Sequence, residues 1–170
     1  MTTKEKFIIH LITEPKIIED CAQMMSKSDP WITLGIEYPQ CLEAFNGPCK
    51  EIYVVEVENE IAGFSILQIC GTFKGYIQTI CIGDVHRRKG LGKELLLFCE
   101  ERIFKISPNI FICVSAFNES AIRLYYSFGF KLVGPLENFI KVGFTELLLR
   151  KSIGPINNYS SQSTEGEGSS

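Results

Sequence analysis

The densest chemistry in the chain lies in Arg87-Arg88-Lys89-Gly90-Leu91-Gly92. His86 precedes this segment and Lys93 follows it, so cations surround two glycines. An apolar run that reads as a strand, Tyr76 to Ile82, feeds the segment, and one that reads as a helix, Gly92 to Phe104, leaves it. Glycine at a strand-to-helix turn lets the backbone approach a ligand with no Cβ in the way. The first turn of the helix adds unpaired N–H groups and the positive end of the helix dipole. That combination suits a phosphate or pyrophosphate. Two familiar phosphate loops do not fit. A P-loop needs Ser or Thr after Gly-Lys and a glycine five positions earlier, whereas Glu94 follows Gly92-Lys93 and Arg87 stands at the earlier place. The dinucleotide fingerprint needs a third glycine where Leu95 stands.

The elements around the turn can be read from periodicity. Phe7 to Leu11 is a short β-rich run, and Pro15 to Met25 has helical spacing with Pro at a first-turn position. Ser28 to Pro39 reads as a loop, with a short helix from Tyr38 to Phe45. Glu51 to Val57 and Ile61 to Cys70 form a predicted hairpin across Glu58-Asn59-Glu60. The second of these strands is apolar on both faces, which predicts a sheet covered on both sides. Ile110 to Ser115 is a further strand beyond Pro108. Asn118 can cap a helix to Phe128, whose stripe is Ala121, Leu124, Tyr125 and Phe128, and Gly129 can end it. Tyr126, one position on, points elsewhere on the helix and is read as packing. Phe130 to Val133 and Phe144 to Leu149 close the pattern. The expected fold class is α/β with a mixed sheet, in the order β-α-α-β-β-β-α-β-α-β-β. It forms one domain over residues 1–151, followed by a disordered polar tail over 152–170.

Composition narrows the function. A length of 170 residues suits one core, and 45% hydrophobic residues suit a globular chain. The net charge of −3 argues against a broad nucleic-acid footprint. No apolar run is long enough to span a bilayer, and no signal-peptide pattern follows Met1. The seven cysteines are scattered, with no CxxC pair or Cys/His cluster, so the expectation is reduced thiols, no metal and a cytoplasmic protein.

The turn, Arg-x-x-Gly-x-Gly between strand and helix, resembles the acetyl-CoA pyrophosphate loop of the GNAT N-acetyltransferase superfamily. A second segment, Asn118-Glu-Ser-Ala121-Ile-Arg-Leu-Tyr125-Tyr-Ser-Phe-Gly129-Phe130, is similar to that family's Asn-x-x-Ala-x-x-Leu-Tyr-x-x-x-Gly-Phe stretch. The resemblance is strong from Tyr76 to Phe130 and closest to the ribosomal-protein and N-terminal amine acetyltransferases. It implies a GNAT-like fold and an enzyme moving the acetyl group of acetyl-CoA directly to a primary amine, on a peptide, protein or small molecule. A catalytically silent CoA-binding regulatory module is the alternative.

The resemblance also implies roles. Backbone amides of Arg87, Arg88, Lys89, Gly90, Leu91, Gly92 and Lys93 would hold the pyrophosphate, with charge from Arg87 and Arg88. Backbone groups of Ile80, Cys81 and Ile82 would pair with the pantetheine arm, in a gap where this strand and the next splay apart. Asn118 matches a CoA-contacting position. Tyr125 matches the tyrosine that protonates the leaving thiolate, as a phenol with its ordinary pKa near ~10 can at neutral pH. Many relatives place Glu or His five residues before the asparagine, where this chain has Cys113. Some amine acetyltransferases instead carry tyrosine at the position of Tyr76 and deprotonate through ordered water, which Gln78 on the same strand face could orient. Cys113 could alternatively accept the acyl group. The acceptor is expected near Ser28 to Phe45 and the Pro135 to Gly143 loop, with Trp31, Glu37, Tyr38 and Glu43 as candidate contacts.

Overall fold

A computed structural model describes residues 6–160. Seven strands form one sheet in the order β1-β2-β3-β4-β5-β7-β6. The elements are β1 (Phe7–Leu11), α1 (Pro15–Ser26), α2 (Trp31–Leu34), α3 (Tyr38–Glu43), β2 (Lys50–Val57), β3 (Glu60–Gln68), β4 (Tyr76–Ile82), α4 (Leu91–Phe104), β5 (Asn109–Ser115), α5 (Glu119–Ser127), β6 (Lys131–Glu137) and β7 (Thr145–Ser152). A 3-10 turn, Asp84–His86, lies between β4 and α4.

Strand alternation explains why both faces are covered. Along β2, Tyr53, Val55 and Val57 enter one buried cluster with α4 residues Leu91, Leu95, Leu96, Cys99 and Ile103. Ile52 and Val54 enter the other, with Cys21, Ala22 and Met25 of α1 and Cys41 of α3. On β3, Leu67 joins the first cluster, while Phe64 and Ile66 join the second. The apolar character of both faces of β3 thus has the cause expected.

Sequence and structure part company in a few places. The segment expected as a loop holds the four-residue helix α2, ended by Gly35 in the left-handed region (φ 67°). Its single turn is too short to show a helical period. Strands β6 and β7 run further than expected, and β7 inserts between β5 and β6. The expectation of reduced thiols fails at one pair. Cys49 and Cys70 are disulfide-bonded, with Cα atoms 5.6 Å apart. The β2–β3 register pairs Lys50 with Gln68, which brings both cysteines to the open end of the hairpin. That closeness arises from strand pairing and is invisible in a spacing of 21 residues. Cys21, Cys41, Cys81, Cys99 and Cys113 are free. Tyr126, read as packing, is exposed.

Residues 161–170 of the expected polar tail lie outside the described residues. Its first residues run along the body. The Ile153 amide donates to the Pro108 carbonyl, and the Tyr159 hydroxyl donates to the Phe104 carbonyl. No described helix is long and apolar enough to cross a membrane.

Candidate active site

Strands β4 and β5 run parallel and pair only through Tyr76 with Phe111 and Ile77 with Ile112. Beyond Ile77 the two strands part, while β4 stays paired with β3 as far as Ile82. This is the splay that the resemblance implies. It leaves the last part of β4 with a chain partner on one side only.

At the wide end of the gap sits the glycine turn. Gly90 precedes α4 with φ 83°, and Arg88 also has positive φ, 60°. A non-glycine residue rarely takes that conformation, so the turn is built to hold a particular backbone shape. The first intrahelical bond of α4 runs from the Glu94 amide to the Gly90 carbonyl, 3.1 Å. The amides of Leu91, Gly92 and Lys93 therefore lie ahead of that ladder. The Leu91 side chain is buried in the core, so its contribution to a ligand would be through its backbone.

A cleft of about 660 Å³ runs from this turn to α5. Ile80, Cys81, Ile82, His86, Arg87, Arg88, Gly92, Asn118 and Tyr125 all line it. Lys89, Gly90 and Lys93 lie at exposed positions outside this wall. The Arg87 guanidinium is held by its own turn. Its Nε donates to the Ile82 carbonyl at 3.1 Å and lies 3.3 Å from the Asp84 carboxylate. Cys81 turns its side chain into the core, where burial pushes the thiol up to about 12. Asn118 caps α5, its Oδ1 accepting from the Ala121 amide at 3.4 Å, as its position before the apolar stripe predicts.

A second, smaller cavity of about 130 Å³ lies further along the gap. It shares Trp31, Ile80, Asn118 and Tyr125 with the first, so Tyr125 stands in the wall between the two. Tyr76, Gln78, Cys113, Ser115 and Glu146 line the smaller cavity, with Leu34, Ile36 and Ile140 as apolar wall. Tyr125 is 6% exposed, and burial pushes its phenol far above the ordinary tyrosine value. Tyr76 is shifted the same way, first by burial and then by Cys113 and Glu146. Both phenols therefore remain protonated at neutral pH and can donate. The Cys113 thiol is raised by burial, so it is a poor base and a poor nucleophile.

Three expected acceptor contacts have other work. Glu37 caps α3 in a capping box with Gln40, and Tyr38 packs against the second core cluster. Glu43 accepts a hydrogen bond from Asn46. Of the expected acceptor-side aromatics, Trp31 lines the cavities. Gln78 also lines the smaller one, but its Nε2 donates to the Ala44 carbonyl at 2.8 Å, so its amide braces α3 against β4.

Glu146 escaped the sequence reading. It is 5% exposed, on β7, and accepts from the Ser115 hydroxyl at 2.6 Å. Burial raises its carboxyl from its ordinary value, against a smaller lowering by Ser115. A lone glutamate between Thr145 and three leucines gives only one signal in sequence, a charge opening an apolar strand.

The wider comparisons agree with this geometry. The model of the acetyltransferase (GNAT) family matches residues 16–130. No curated protein matches the sequence significantly. Among solved structures, the ribosomal-protein-S18-alanine N-acetyltransferase of Escherichia coli is similar, with TM-score 0.69 and 18% identity over 91% of this chain and 99% of that one. NAA60 of Arabidopsis thaliana, solved with a bisubstrate analogue, gives TM-score 0.70 and 19% identity over 88% and 100%. The spermidine/spermine N-acetyltransferase SpeG of Vibrio cholerae gives 0.66 and 17% over 86% and 93%. At these identities the structures establish a shared fold, and the family model covers most of the domain that builds the cleft. The chain accordingly belongs to the acetyltransferase (GNAT) family and is an acyltransferase.

Proposed function

We propose that this enzyme binds acetyl-CoA along the β4–β5 gap and transfers its acetyl group directly to a primary amine entering from the smaller cavity. The observation that carries the reading is the shared wall. Tyr125 borders the cleft that begins at the glycine turn and also the pocket on the far side. A thioester held in the first and an amine held in the second would meet beside its hydroxyl.

The residues present fit the co-substrate. Amides of Leu91, Gly92 and Lys93 at the start of a fourteen-residue helix suit a diphosphate. His86 and Arg88 stand at the same end of the cleft and add donors or charge. The backbone from Thr79 to Ile82, partnered by β3 on one side, suits the amides of an extended pantetheine arm. Tyr125 supplies a proton to the departing thiolate. Tyr76, kept neutral, donates to a water or to the acceptor and does not itself remove a proton.

The amine acceptor is framed by an apolar wall, Trp31, Leu34, Ile36 and Ile140, with one buried carboxylate. That chemistry suits an amine attached to an apolar or small group, as on a peptide terminus or a small molecule. The test is calorimetry with acetyl-CoA, followed by free-thiol release across peptides, polyamines and simple amines. Binding with amine-dependent thiol release supports the proposal. Binding with no release for any amine favours a silent CoA-binding module, and no heat at millimolar acetyl-CoA rejects both.

A further inference from the structure

An acetyl acceptor must be a free amine, yet most aliphatic amines are protonated near neutral pH. The proton therefore needs a destination, and neither phenol nor thiol in the pocket can take it. Glu146 can. It lies opposite Ser115 in the β5–β7 register, and strand alternation sets Cys113 and Tyr76 on the same sheet face. All four line the smaller cavity.

We propose that the Glu146 carboxylate is the general base of the acetyl-transfer reaction, receiving the proton of the acceptor ammonium in the cavity it lines. This rests on the acetyl-transfer reading above. The ammonium N–H bond breaks, its proton passes to a Glu146 carboxylate oxygen, and the nitrogen keeps the electron pair. That pair forms the new C–N bond as the C–S bond breaks. The thiolate takes the Tyr125 proton, the acylated nitrogen returns one to the Tyr125 oxygen, and Glu146 releases its proton to solvent. One proton is lost overall, as converting an ammonium and a thioester into an amide and a thiol requires.

The groups facing Glu146 are consistent with this role. From β5 come Ser115, which donates to it, and Cys113; from β4 comes Tyr76; from α5, Tyr125 lines the same cavity. On β6 its register partner is Leu136, which does not titrate, and the following loop presents Ile140. These neighbours are neutral at pH 7, so among the described residues the carboxylate is held by one hydroxyl and by no strong cation that would blunt it. A raised carboxyl pKa brings the base closer to the working pH, where general bases act best.

The test is Glu146→Gln, which keeps the shape and an oxygen for Ser115. The sign of the pKa shift predicts that this variant folds at least as well as the wild type. A carboxyl whose folded pKa is raised costs stability once pH exceeds it, so the neutral amide removes a cost at pH 7. With the best amine from the panel, acetyl-CoA affinity is expected to stay unchanged and kcat at pH 7 to fall at least ~100-fold. The loss should shrink as pH rises toward the pKa of the amine, where free amine becomes abundant. Ser115→Ala is a second variant. Removing that donor should move the acidic limb of the kcat profile up by about one pH unit relative to the wild type. Near wild-type kcat for Glu146→Gln at pH 7, or an acidic limb unmoved by Ser115→Ala, overturns the assignment. A wild-type protein that does not bind acetyl-CoA would instead reject the acetyl-transfer reading itself.

Discussion

Replacing Tyr125 by Phe removes one hydroxyl from a nearly enclosed ring and leaves its edge contact with Phe130, centroids 5.9 Å apart, in place. The expected result is a kcat lower by ~10–100-fold, with acetyl-CoA affinity within twofold, because a general acid acts on the transition state more than on the ground state. A fall in affinity matching the fall in rate would make Tyr125 a binding wall only. Its raised pKa sets a further expectation. The phenol stays protonated beyond the ordinary tyrosine value near ~10, so kcat should show no basic limb from this group up to pH 9. Tyr76→Phe should also lower kcat at neutral pH, since it removes a neutral donor beside Cys113 and Glu146. A fully active Tyr76→Phe would place Tyr76 outside the proton path.

At the level of elements, the site depends on how β4 is seated. Gly75 immediately precedes β4 with φ 92°, and a Cβ there would collide with the Asn109 carbonyl oxygen and lie 2.7 Å from Ile103. Gly75→Ala therefore pushes β4 from β5 at their narrow end and adds a backbone penalty. Together these should cost about 2–4 kcal/mol, read from chemical denaturation. The Cys49–Cys70 bridge ties the hairpin that supports β4 from the other side. A closed loop of this size is worth about 3 kcal/mol through the unfolded chain. Reductant, or Cys49→Ser, should lower Tm without abolishing the fold, because the two core clusters do not depend on the bridge and the buried free cysteines Cys21, Cys41, Cys81 and Cys99 already pack as apolar side chains. An unchanged Tm would show that the bridge contributes nothing measurable.

For the molecule as a whole, legibility divided by the range of the interactions. The glycine turn, the Asn118 cap and the strands β2 to β4 rest on neighbouring residues, and local pattern carried them. Glu146 gains its meaning from Ser115, which is 31 residues earlier and reaches it only because β7 inserts beside β5. The disulfide is likewise a product of register. The sheet itself is two panels, β1-β2-β3-β4 and β5-β7-β6, meeting at a seam of two residue pairs. Helix α4 packs across that seam, on β3, β4 and β5. An extended ligand laid in the gap would act as one more strand, stitching the panels where the polypeptide does not. Amide exchange should then slow from Thr79 to Ile82 when acetyl-CoA is present, while β2 changes little. At a hundredfold excess over Kd the loaded protein should gain about 2.7 kcal/mol. Much of the enzyme's rigidity in use would thus be borrowed from its own reagent and returned at each turnover.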